Sequence, residues 1–79
     1  MTTEEILAEI NKYVRIEHGK KVTIDSKLAD SEMDSFGFTI VIMELHVKYG
    51  CFDNEWFNAN VDGDMLVSTL VERILDASK

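Results

Sequence analysis

The chain has no proline, and its apolar residues recur every three or four positions in three separate blocks. That period puts side chains on one face of a helix, whereas a half-buried strand would alternate every second residue. In the first block, about Thr3 to Glu17, the stripe is Ile6, Leu7, Ile10, Tyr13 and Val14. Thr2 and Glu5 stand at capping-box spacing, and Glu4 and Glu5 sit where a helix dipole favours negative charge. Gly19 is the expected stop.

The second block, Ser35 to Tyr49, follows Asp34 and is closed by Gly50. It carries two stripes, one of Phe36, Ile40, Met43 and Val47, the other of Phe38, Ile42, Leu45 and Tyr49. A helix apolar on most sides is central to a core or presents a face to something outside the domain. Asp53 to about Asn58 reads as a short helix with Asp53 as cap and Trp56 and Phe57 as packing residues. A last helix opens at Asp62 to Asp64, with Asp64 as its cap, and runs to about Asp76. Its buried face is Val67, Leu70, Val71, Ile74 and Leu75. Between the first two helices, Gly19 to Asp34 is long for a small domain. Val22-Thr23-Ile24 has strand-like composition but no partner strand, so the segment reads as an ordered loop with a helical turn near Ser26 to Ala29. The expectation is an all-α, four-helix bundle of three longer helices and one short one, forming a single domain over residues 1–79.

With 8 Lys and Arg against 15 Asp and Glu, the net charge is −7. That argues against a nucleic-acid binder, which needs clustered cations to meet phosphates. Apolar residues make up 46% of the chain, too many for a disordered acidic tail. A chain of 79 residues has little room for a deep enclosed active site. Its one Cys cannot form an internal disulfide or a thiolate metal cluster. No segment reads as a leader or a membrane span. The expected setting is the cytoplasm, as a monomer with no metal.

The informative run is Asp34-Ser35-Phe36-Gly37, where the long loop meets the apolar helix. A serine at a helix start has unpaired backbone donors and the positive end of the dipole beside it, which favours a phosphate esterified there. His18 and His46 are the only histidines. A hydrolytic serine would also need an oxyanion hole and a pocket. This serine is better suited to carrying a group than to attacking one, and the domain is not expected to be an enzyme. Capping alone would account for Asp34 and Ser35 as residue types.

The order of helix, long loop, Asp-Ser at a helix start, short helix and final helix resembles the acyl carrier protein family, the phosphopantetheine-attachment domains. The resemblance spans essentially the whole chain. Its specific parts are Leu28 with Asp30, Met33-Asp34-Ser35-Phe36, and Met43-Glu44-Leu45. It implies that Ser35 receives a 4'-phosphopantetheine arm from a phosphopantetheinyl transferase, with Asp34 supporting the modification. The arm's thiol would hold acyl or aminoacyl groups as thioesters, loaded by a ligase and passed to acyl-transferring enzymes. Phe36, Phe38, Ile40 and Glu44 would form the partner surface around it.

Fatty-acid carriers usually have Leu after the serine and several acidic residues on the following helix. Here Phe36 and Gly37 follow Ser35, and Glu44 is the one acidic residue between Ser35 and Tyr49. Ile40 and Val47 stand where acidic residues are common in the family. They are either core residues or an apolar face for a dedicated partner, and their exposure decides between the two. The Asp-Ser-Phe-Gly run is also similar to D-alanyl carrier proteins, which take an amino acid from an adenylating ligase. A helical adaptor without prosthetic group, docking through the second helix, is the reading from a different class.

Asn58-Ala59-Asn60-Val61-Asp62-Gly63-Asp64 imitates half of a calcium loop, but Thr69 stands where the bidentate carboxylate belongs. Cys51 reads as an inert structural thiol. His46 reads as a surface or half-buried residue, and Met33, Met43 and Met65 as gap-fillers or the lining of an adaptable cavity.

Overall fold

The structure, a computed structural model, describes residues 2–33 and 35–78, with the side chains of Ser35 and Phe36 outside the described set. Four α-helices follow in order: α1 (Thr3–Ile16), α2 (Ser35–Tyr49), α3 (Asn54–Asn60) and α4 (Val67–Ala77), with a 3-10 turn at Leu28–Ser31. Among the described residues there is no strand, only an isolated antiparallel bridge between Lys27 and Leu66.

Helix α1 starts as its sequence dictates, the Thr2 hydroxyl accepting the Glu5 N–H at 3.2 Å. Ile6, Ile10 and Val14 are buried, while Leu7 and Tyr13 pack half-buried at the edge of the core. The helix stops one residue earlier than expected, and Gly19 is not the residue that turns it. His18 takes the left-handed conformation at φ 58°. The His18 N–H then reaches Arg15 O at 3.1 Å and the Gly19 N–H reaches Val14 O at 2.8 Å, closing the helix as a Schellman motif does. Glycine is needed at 19 for room instead: a Cβ there would lie 2.6 Å from the Ser31 carbonyl oxygen.

The long loop is ordered because it borrows partners from two helices and a turn. Val22, 1% exposed, is held from α1 by the Asn11 carboxamide, whose Nδ2 donates to Val22 O at 2.9 Å and whose Oδ1 accepts the Val22 N–H at 2.8 Å. The expected turn lies slightly further along, at Leu28–Ser31, with Asp30 accepting the Lys27 N–H at 2.9 Å. Leu28 is fully buried and donates its N–H to Met65 O, and Ala29 donates to Gly63 O, both at 3.0 Å.

Those crossings explain where α4 begins. It was expected to open at Asp62 to Asp64 with Asp64 as cap, but its first helical residue is Val67. Asp62 closes a turn instead, its Oδ1 accepting the Asp64 N–H at 3.1 Å. The orphan donors of α4 go to the long loop, Val67 N–H to Ser26 O at 2.7 Å and Ser68 N–H to Ile24 O at 3.1 Å. Helix α3 follows its expected cap, Asp53 Oδ1 accepting the Trp56 N–H at 2.9 Å, and ends two residues beyond Asn58. Asn58, Ala59 and Asn60 are therefore helical, which takes them out of any calcium-type loop. Phe52 and Trp56 meet edge to face with centroids 5.0 Å apart, and Arg73 donates to Asn60 O at 2.6 Å across the end of α3.

Helix α1 packs against both α2 and α4. The core they enclose takes Ile6, Ile10 and Val14 from α1, Phe38, Val41, Ile42 and Leu45 from α2, and Val67, Leu70, Val71 and Ile74 from α4, closed by Val22, Leu28 and Phe52. No helix of the described residues is long and apolar enough to cross a membrane.

Candidate functional site at the start of the second helix

Ser35 is the first residue of α2, which spans 15 residues. Backbone N–H groups of the first turn have no partner inside a helix, and the peptide dipoles add there to a partial positive charge. Helix starts in general favour an anion or a phosphodiester for this reason. The expectation for Asp34 falls outside the described residues, and those for the Ser35 hydroxyl and the Phe36 ring rest on side chains that also lie outside them.

What leads into the junction is braced. Ser31 is fully buried. Its hydroxyl donates to Leu28 O at 2.7 Å and accepts the Met33 N–H at 3.1 Å. Its carbonyl accepts the Lys20 N–H at 2.7 Å. Glu32, between these contacts, is left-handed at φ 60° and meets Lys20 in an exposed ion pair at 3.1 Å. Met33 then folds over the first turn of α2: a Cβ at Gly37 would lie 3.1 Å from its Sδ. The glycine after Phe36 thus makes room for the methionine before Asp34. Ser31 carried only a weak sequence signal, a hydroxyl two residues before Met33 in a segment otherwise marked by spaced apolar residues. The spacing fits a local serine turn.

Helix α2 resolves its two apolar stripes differently. Phe38, Ile42 and Leu45 point inward with Val41, all at 4% exposure or less. This corrects Phe38, expected on the partner surface. Residues two apart on a helix are separated by about 200°, so Phe38 cannot share a face with Ile40. The other stripe runs outward: Ile40 is half-buried, Met43 is 55% exposed and Val47 is 81% exposed. Val47 is not a core residue. Glu44 lies exposed beside this stripe, near enough to Tyr13 on α1 for its charge to act on the phenol. Partial desolvation and the negative field of Glu44 and Glu9 push the Tyr13 phenol above its ordinary value. Lys48 donates to Glu9 at 2.9 Å, and that bond with its charge attraction pushes the ammonium up as well.

His46 has a structural role. Its Nδ1 accepts the Phe52 N–H at 3.0 Å, tying the end of α2 to the segment before α3. Cys51 is a free, half-buried thiol. Among the described residues no three His, Cys, Asp or Glu side chains converge to hold a metal ion. In comparisons with protein-family models, curated proteins and solved structures, the chain has no match.

Proposed function

We propose that the chain is a discrete carrier domain of the acyl carrier kind. In this reading Ser35 is esterified by a 4'-phosphopantetheine arm, whose thiol carries an acyl group as a thioester between enzymes, and the domain itself catalyses nothing. The observation that carries the reading is the junction itself. Ser35 opens a 15-residue helix at the end of a loop held by Asn11, Lys20 and Ser31, and further along the same helix Met43 and Val47 are exposed. The start of a helix, where backbone N–H groups and the dipole favour negative charge, suits a phosphodiester on Ser35. When bound, the arm would supply the thiol chemistry.

Roles follow for this chain's own residues. Ser31 and Met33 set the approach of the backbone to Ser35, and Asp34 supports the transferase. Ile40, Met43 and Val47 offer an apolar face to a partner enzyme, with Glu44 at its edge. The net charge of −7 would steer basic partners at long range and weaken with salt.

Incubation with coenzyme A, magnesium and a broad-specificity phosphopantetheinyl transferase tests this by mass. One added arm, absent in Ser35→Ala, is the expected result. Offering that product to adenylating ligases with fatty acids or with amino acids then separates acyl from D-alanyl-type loading. The exposure of Met43 and Val47 also supports a second reading, an adaptor docking through α2 without a prosthetic group. Failure of several transferases to modify the folded protein would favour it.

A further inference from the structure

A groove of about 850 Å³ runs along the outer side of α1, between the helix and the start of the long loop. Ligand sites have volumes of about 300–1,000 Å³. From Glu4 to Arg15 the groove follows the helix for roughly 16 Å at 1.5 Å per residue. Its two ends differ. Around Leu7 and Ala8 the lining is apolar, and the Asn11 carboxamide beyond them is already engaged with Val22. At the far end Lys12, Arg15 and Lys21 bring three fixed positive charges, while Glu4 at the opposite end is the single carboxylate of the lining.

This concentration of cations is unusual for a chain with 8 Lys and Arg in all. Neither ion pair between described residues involves Lys12, Arg15 or Lys21; they join Lys20 to Glu32 and Lys48 to Glu9. Compensation of the helix dipole would explain Arg15, in the last turn of α1, and the Lys12 ammonium lies 5.6 Å from the Tyr13 ring centre, but neither accounts for Lys21 beyond the helix. A site apolar along one stretch and cationic at one end matches a molecule with the same asymmetry.

We propose that this groove binds a single-chain amphiphile with an anionic head, its tail along Leu7 and Ala8 and its head among Lys12, Arg15 and Lys21. The rest of the surface repels anions, so the cationic end selects the site and the orientation. The inference uses α1 and the loop alone and does not depend on any modification of Ser35.

The test is a titration of the full 15N-labelled chain with sodium decanoate below its micelle concentration, followed by amide shifts. Saturable shifts at Leu7, Ala8, Lys12 and Gly19 are expected, with binding weakened by salt. Decyl phosphate should bind at the same amides, and its rank against decanoate distinguishes a phosphate from a carboxylate head. Decylamine should bind at least about tenfold more weakly, as should decanoate to Lys12→Glu/Arg15→Glu, because each reversal turns an attraction into a repulsion. Both substitutions are at exposed positions of α1, and circular dichroism would verify the helix. Equal affinity for decylamine, equal affinity in the double variant, no shifts, or shifts confined to Phe38, Ile42 and Leu45 in the core would each overturn the proposal.

Discussion

The Asn11 side chain grips the backbone of Val22 at both its polar groups, with bonds of 2.9 Å and 2.8 Å. One carboxamide on α1 thereby does for the long loop what a neighbouring strand would do for an edge strand. Asn11→Leu should lower stability by about 1–3 kcal/mol, because it leaves a partly buried N–H and C=O unpaired. Asn11→Asp keeps the acceptor but sets a carboxylate against the Val22 carbonyl, and should be no better. Urea unfolding gives the loss. Hydrogen exchange should show faster exchange at Val22; an unchanged Val22 amide in Asn11→Leu would contradict the assignment.

Gly19 and Gly63 should respond unequally to the same substitution. A Cβ at 19 meets the Ser31 carbonyl at 2.6 Å and the Val14 side chain at 3.1 Å, whereas at 63 it meets nothing within 4 Å. Gly19→Ala must move backbone and should cost about 1–3 kcal/mol. Gly63→Ala should stay within about 0.5 kcal/mol of the parent. Thermal unfolding of the pair decides it.

The difference between those glycines marks how far sequence reaches here. The α1 core residues Ile6, Ile10 and Val14, the bounds of α2, and the Asp53 cap of α3 were legible because each is set by local periodicity or a local cap. Gly19 reads as the stop of α1 because glycine is the usual left-handed residue, and nothing local says that His18 takes that conformation or that the carbonyl of Ser31 crowds position 19. The start of α4 was misplaced for a related reason: its donors are met by Ile24 and Ser26, which sequence distance hides. The two stripes of α2 could be drawn from spacing. Which one faced solvent depended on how α1 and α4 pack, and that is where Phe38 was wrongly assigned.

Phe38 and Val47 make that correction measurable. Phe38→Ala removes a buried ring and should destabilise by about 3–5 kcal/mol. Val47→Ser, at a position 81% exposed, should change stability by no more than about 0.5 kcal/mol. If the outward stripe meets a partner, Val47→Ser should instead weaken transfer to that enzyme. Paired urea melts and a partner-transfer assay separate the effects; equal destabilisation by the two would refute the assignment of faces.

Alkaline pH should weaken the contact between α1 and α2. Tyr13 and Lys48 both hold their protons more tightly in the folded chain than at their ordinary values of 10.0 and 10.5. The stability they add is therefore present below pH 10 and is lost as pH rises through the raised folded values. Tyr13→Phe with Lys48→Met should flatten the decline of stability above pH 10 that the parent shows. Unfolding midpoints across that range measure it, and parallel curves would refute the linkage.

Ser31 gives the sharpest test of whether the loop positions Ser35 for the proposed attachment. Its hydroxyl is fully buried and bridges Leu28 O to the Met33 N–H. Ser31→Ala leaves both groups short of a partner and should cost about 1–3 kcal/mol. A purely structural loss would go no further while the protein remains folded. If the bridge also sets the path of Met33 into α2, Ser31→Ala should slow transferase modification of Ser35 under conditions where circular dichroism shows it fully folded. Faster exchange at the Met33 amide should accompany the slower reaction. An unchanged Met33 amide would refute the bridge, whereas a loosened amide with an unchanged modification rate would leave Ser31 to stability alone.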